Sequence, residues 1–112
     1  MRRLRDGELL TREDREEVAT NYYVSDHAKE QLKKRGVDLD EVEDLIRFPF
    51  FAYKNTDDTI NFVRTKTEYL VAHYHPNLKK YCIVTYKEAS KNGFTTLDKW
   101  ELAKKHKKRN PK

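Results

Sequence analysis

Cysteine, glycine and proline are scarce in this chain of 112 residues, which has one Cys, three Gly and three Pro. With Cys82 alone, no internal disulfide can form. Its setting, YCIVTY, reads as an inert strand cysteine, because a reactive thiol needs a lowered pKa and solvent access. There is no nucleotide-binding glycine loop, zincin motif, serine-hydrolase elbow or CxxC pair, so a dehydrogenase, a kinase and a conventional zinc protein all lose ground. No run approaches the roughly 20 apolar residues that span a bilayer. The opening MRRLRDGELL has arginines but no apolar region after them, so neither a secretory signal nor a membrane is expected and a cytoplasmic location is.

What is present is charge and aromaticity. Charged residues make up 38% of the chain and hydrophobic ones 37%, while seven tyrosines and five phenylalanines argue for a folded centre with charged ends. Residues 91–112 hold eight Lys or Arg against Asp98 and Glu101, an excess of six; residues 1–90 are near neutral, 16 basic against 17 acidic. Basicity is therefore concentrated at the end of the chain. A basic tail attracts phosphate backbones without reading sequence, and it equally serves solubility.

The length suits one domain. Thr11 with Asp14 resembles a capping box for a short charged helix, TREDREEVAT, whose only substantial apolar residue is Val18, so an N-terminal arm over residues 1–20 is expected to pack weakly or to bind something else. Ser25 caps a helix from Asp26 to about Arg35, with Ala28 and Leu32 on one face and Gly36 as its stop. Asp38 or Asp40 caps a second helix in which Leu39, Val42, Leu45 and Ile46 recur at helical spacing until Pro49. From Phe50 the period changes: FFAY, INFVRT, EYLVAHYH and KYCIVTYK read as strands with short links.

The expected fold class is α+β, a short helix pair packed on a three- or four-stranded antiparallel sheet, with the core at 21–90. TTLDKWELAKKH reads as an added C-terminal helix that Trp100 docks on the core, followed by a basic tail, so that residues 91–112 form a third region.

The stretch YVSDHAKEQLKKRGVDLDEVEDLI, with YLVAHYH and CIVTYK, resembles the small DUF4258 family over roughly residues 22–88. That family is grouped with the RelE, colicin E5 and barnase-like fold, many of whose members are metal-independent ribonucleases used as toxins. The resemblance implicates His27, Arg35 and Thr85 as catalytic residues and implies toxin-like or mobile-element biology. Many relatives carry an arginine where this chain has Gln31, and an amide cannot hold a phosphate with two charged hydrogen bonds as a guanidinium does.

Metal-free RNA cleavage requires a base, an acid and positive groups for the phosphate. Histidine suits either proton role. At 100° per residue, Gln31 lies about 40° from His27 around the helix, Lys34 about 20° on the other side and Arg35 about 80° away. They can form a polar stripe, with Arg35 and Lys34 clamping a phosphate, or simply a solvated face.

His73 and His75 share a strand face with Tyr69 and Val71. Two such ligands lack the third or fourth that a metal needs, so no metal or cofactor is expected. With Arg64 they suggest an aromatic and cationic RNA platform. Strict alternation places Tyr81, Ile83 and Thr85 on one face and Cys82, Val84 and Tyr86 on the other; Thr85 with Tyr86 reads as a positioning pair. Lys104, Lys105, Lys107, Lys108 and Arg109 complete the expected nucleic-acid contacts.

The expected function is metal-independent cleavage of RNA phosphodiesters. The alternative is a non-catalytic, possibly phage-encoded regulator on the same fold. RNA is the expected partner, with DNA, a host protein or an antitoxin-like protein as alternatives.

Overall fold

The computed structural model describes residues 2–65 and 67–88. They form α1 (Arg12–Ala19), β1 (Tyr22–Val24), α2 (Asp26–Lys34), α3 (Leu39–Arg47), β2 (Phe51–Lys54), β3 (Thr59–Val63), β4 (Glu68–His75) and β5 (Lys80–Glu88). The class is α+β, as the changing hydrophobic period predicts. The C-terminal helix expected around Trp100 lies outside the described residues.

Local chemistry sets the helix ends. Thr11 and Asp14 make the reciprocal capping box of α1. The Ser25 hydroxyl accepts from the Ala28 N–H at 3.1 Å to start α2, and Gly36, with φ +69°, ends it in the left-handed region that an L side chain enters at a cost. Helix α3 runs from Asp38 as cap to Phe48, next to Pro49. Its expected apolar stripe holds at Val42, Leu45 and Ile46, all buried, whereas Leu39 is exposed at the helix start.

The four expected strands form an antiparallel meander, and a fifth, β1, extends it in parallel with β5 to give the order β1-β5-β4-β3-β2. The three-residue YYV was not expected as a strand. It exists because Tyr22, Tyr23 and Val24 find partners in Tyr81, Cys82 and Ile83, far away in sequence.

The N-terminal arm does not pack weakly. Val18 is fully buried and Ala19 nearly so. Leu10 N–H donates to the Ala52 carbonyl at 2.9 Å, Lys54 N–H to Glu8 at 3.0 Å and Gly7 N–H to Lys54 at 2.7 Å, covering the outer edge of β2. The Arg15 guanidinium donates to the carbonyls of Arg47 at 3.0 Å and Leu10 at 3.2 Å. A cation at the C-terminal end of α3 also suits the helix dipole. The α3 helix therefore packs chiefly on α1, and α2 on β5. The few apolar residues of the arm understated its packing, because much of its attachment is backbone pairing.

All three helices bury their apolar residues in one cluster with Ala52, Ile60, Phe62, Leu70, Ala72, Ile83 and Tyr86 from one sheet face. The other face holds a second cluster, Phe51, Tyr53 and Val63, against which Leu9, Phe50 and Tyr69 pack. Among the described residues no helix is long and apolar enough to cross a membrane.

Candidate functional site

The ends of α2 and β5 decide how the expected residues are arranged. Across β4 and β5, Leu70 pairs with Tyr86, Val71 with Thr85 and Ala72 with Ile83, leaving Val84 as an extra residue in a β-bulge. The bulge breaks the alternation expected for KYCIVTYK. Tyr86 enters the helix-covered cluster beside Leu70, and Thr85 turns to the other face in the row Tyr53, Asn61, Val71, Thr85.

His27 is exposed near the start of α2, on the helix side of the sheet. Thr85 is 6% exposed on the opposite side. The structure thus separates two of the three residues proposed to share one phosphate. Arg35 lies eight residues beyond His27, about 12 Å along a helix, and its Nη1 is 3.3 Å from Glu88 Oε1. Thr85 therefore faces the side of the sheet away from the cluster that α2 covers.

Arg64 and Tyr86 do come together, but in a closed network. The Tyr86 hydroxyl donates to Glu68 Oε1 at 2.5 Å and accepts from Arg64 Nη1 at 3.3 Å. Arg64 Nη2 is 3.1 Å from Glu41 Oε2. Burial, then the Glu68 carboxylate, pushes the Tyr86 phenol up to about 12, and the hydrogen bond to Tyr86 leads the rise in Arg64. These groups tie α3 to the ends of β3, β4 and β5. Tyr86 is only 1% exposed, so its ring is held in the core rather than displayed beside Thr85. Arg64 reaches the helix side of the sheet, so it does not sit beside His73 and His75.

His73 is exposed and His75 half-buried. They share the second face as expected, with His73 opposite Thr59 and Cys82. No group of His, Cys, Asp or Glu among the described residues could hold a metal ion. Tyr69 is half-buried in the second cluster rather than displayed as a platform. Cys82 is half-buried rather than fully enclosed, next to Tyr23, whose phenol is raised first by its hydrogen bond to the thiol and then by burial.

The lysines on α2 contrast with four of the arginines and with Lys54. Arg2, Arg35, Arg47, Lys54 and Arg64 each face one or two carboxylates. Lys29, Lys33 and Lys34 are exposed and make no ion pair among the described residues. Lys29 and Lys33, one helical turn apart, also border a shallow cleft of about 290 Å³ with Leu32, Gly36, Val37, Asp38 and Leu39. Gln31, half-buried, lies toward the other flank of the helix.

Lys34 belongs to the polar stripe expected from the sequence; Lys29 and Lys33 were missed there. Their four-residue spacing was the available signal. Lys104, Lys105, Lys107, Lys108 and Arg109 lie outside the described residues.

Compared with known proteins, the chain matches no family model, no curated protein and no solved structure.

Proposed function

We infer that the protein is a non-catalytic RNA-binding protein whose contact surface is centred on the outer side of α2. The observation that carries this reading is the group Lys29, Lys33 and Lys34, clustered on one short helix, exposed and without an ion pair among the described residues, whereas Arg35, Arg47 and Arg64 are paired with carboxylates. Lys29 and Lys33 lie one turn apart on one flank and Lys34 further around the outer side, and each ammonium group that meets a phosphate releases condensed counterions. The excess of six positive charges in residues 91–112 adds to the same attraction. The resemblance to DUF4258 supports RNA as the polyanion, and the position of Thr85, 6% exposed on the sheet face away from α2, favours binding over cleavage.

The test is fluorescence anisotropy of a labelled mixed-sequence single-stranded RNA in EDTA over a range of salt concentrations. Three phosphate contacts contribute roughly 2 to the slope of log K against log salt, at about 0.7 each. Replacing Lys29, Lys33 and Lys34 by Gln should make the slope shallower by about that amount, while His27→Ala binds like the parent. Equal slopes for the triple variant and the parent would refute the proposed surface. RNA cleavage in EDTA that is lost in folded His27→Ala would refute the non-catalytic reading.

A further inference from the structure

The cleft between α2 and α3 brings apolar, cationic and acidic side chains together around a volume of about 290 Å³. Its walls differ in charge. Lys29, Leu32 and Lys33 come from α2, Gly36 and Val37 from the link, and Asp38 and Leu39 from the start of α3. The turn between the helices produces this arrangement. Gly36, at φ +69°, takes the chain out of α2, and the Val37 N–H donates back to the Leu32 carbonyl at 2.9 Å. Asp38 then opens α3 as its cap. Leu32 and Val37 are 1% and 6% exposed, whereas Leu39 keeps 51% of its surface in water. The core stripe of α3 begins only at Val42, which leaves Leu39 at the rim of the cleft.

These features suit a flat, partly apolar ligand that carries negative charge on one side. The volume lies at the low end of ligand clefts, which run from about 300 to 1,000 Å³, enough for one planar ring system. Covering Leu39 with such a ring removes apolar surface from water. Lys29 and Lys33, one turn apart and without an ion pair among the described residues, offer two ammonium groups along the α2 wall. Asp38 on the opposite wall repels anions, and beyond its capping role it has lone pairs left for a donor. That polarity disfavours an acidic peptide lying across the cleft and favours a nucleotide, with its phosphate on one side and base donors on the other.

We propose that the cleft takes one unstacked base of a single-stranded RNA, its ring against Leu39, its flanking phosphates on Lys29 and Lys33, and its exocyclic amino group on Asp38. The proposal rests on the RNA-binding reading of α2 and adds to it a preference among bases. A carboxylate accepts hydrogen bonds and donates none. Cytosine offers it an N4 amino group, while uracil has a carbonyl at that position. Stacking or apolar contact with the ring holds either base, so the amino group alone separates them.

Fluorescence anisotropy at pH 7, with labelled oligo(C) and oligo(U) of equal length and the full-length chain, tests both levels. The parent should bind oligo(C) several-fold more tightly than oligo(U), with the same dependence on salt. Asp38→Asn keeps a capping side chain and should lose the preference. Leu39→Ala should weaken both RNAs several-fold without changing the salt slope, whereas Lys29→Gln with Lys33→Gln should flatten the slope. Circular dichroism checks that each variant is folded. No RNA binding by the parent, or an unchanged slope in the double lysine variant, would remove the RNA-binding reading and the role of the cleft with it. A slope that depends on the lysines, combined with equal affinity for the two RNAs, a preference retained in Asp38→Asn or parent-like binding by Leu39→Ala, would overturn the cleft proposal alone. Tighter binding of an acidic, leucine-bearing peptide than of either RNA, lost in Leu39→Ala, would also overturn it and assign the cleft to a protein partner.

Discussion

Tyr86→Phe separates a structural tyrosine from a ligand-binding one. The substitution keeps the ring beside Leu70 and removes only the hydroxyl, which donates to Glu68 Oε1 at 2.5 Å and accepts from Arg64 Nη1 at 3.3 Å. A hydrogen bond to a charged group contributes about 1.5–3 kcal/mol when its partner stays buried. Here Glu68 and Arg64 keep 28% and 39% of their side-chain surface exposed, so water replaces part of what is lost. The expected destabilisation is about 1–2 kcal/mol, or a fall in Tm of roughly 5–10 °C for a small domain.

The pH dependence gives an independent reading. The Tyr86 phenol is raised from its usual 10 to about 12, so the folded state holds the proton more tightly than the unfolded one. Its contribution is complete below pH 10 and is lost as pH rises from about 10 to 12, by at most about 2.7 kcal/mol for two units. Tyr86→Phe lacks this titration, so the gap between the two proteins should narrow across that window. Urea unfolding followed by circular dichroism at pH 7, 10, 11 and 12 measures both effects. Equal stability at pH 7 with parallel curves to pH 12 would refute the network, and weakened RNA binding by a fully folded variant would return Tyr86 to the ligand site.

Two further substitutions test the local devices that place α1 and α2. Gly36→Ala meets nothing within 4 Å of the new methyl group, so its cost is the left-handed backbone alone, about 1–2 kcal/mol, read as a lower urea midpoint; an unchanged midpoint would count against that conformation. Asp14 is opposed by burial, but the Thr11 hydrogen bonds and Arg2 outweigh it and hold its pKa below the usual value. Its stabilisation is therefore present above about pH 4 and lost as pH falls through the lowered folded value. Asp14→Asn should flatten that acid-side loss in urea midpoints from pH 7 to pH 2, and curves parallel to the parent's would refute the assignment.

The parts of the fold that were legible are those written in neighbouring residues. Thr11 with Asp14, Ser25 with Gly36, and Pro49 after the Val42–Ile46 stripe mark helix ends because capping and backbone restriction act over three or four positions. The Asp-rich NTDDT turn is similar, with Asp57 accepting from the Thr59 N–H and hydroxyl. What was not legible depends on distant partners. Tyr22–Val24 is too short to signal a strand without β5. Nothing around Arg64 announces Glu41, 23 residues earlier, as its partner. The attachment of the arm is similarly invisible, since backbone groups of residues 7–10 carry it irrespective of side-chain pattern.

Thr85 and Tyr86 exchange the faces that alternation assigns them, and the reason is physical. Period-2 alternation carried from Tyr81 through to Tyr86 would set Thr85 under the helices and turn the aromatic ring away from Leu70 and Leu32. The extra Val84 reverses this, putting the large apolar ring in the helix-covered core and the small hydroxyl on the other face. No glycine or proline marks the bulge; a serine 59 residues earlier engages it. The Ser25 N–H donates to the Ile83 carbonyl, and its hydroxyl donates to the Val84 carbonyl at 3.1 Å while accepting from Ala28 N–H. One side chain thus starts α2 and engages the irregular strand, fixing the helix beside β5 with Ala28 and Leu32 inward. A helix held in this way has its inner side filled by core and leaves Lys29, Lys33 and Lys34 exposed on its outer side.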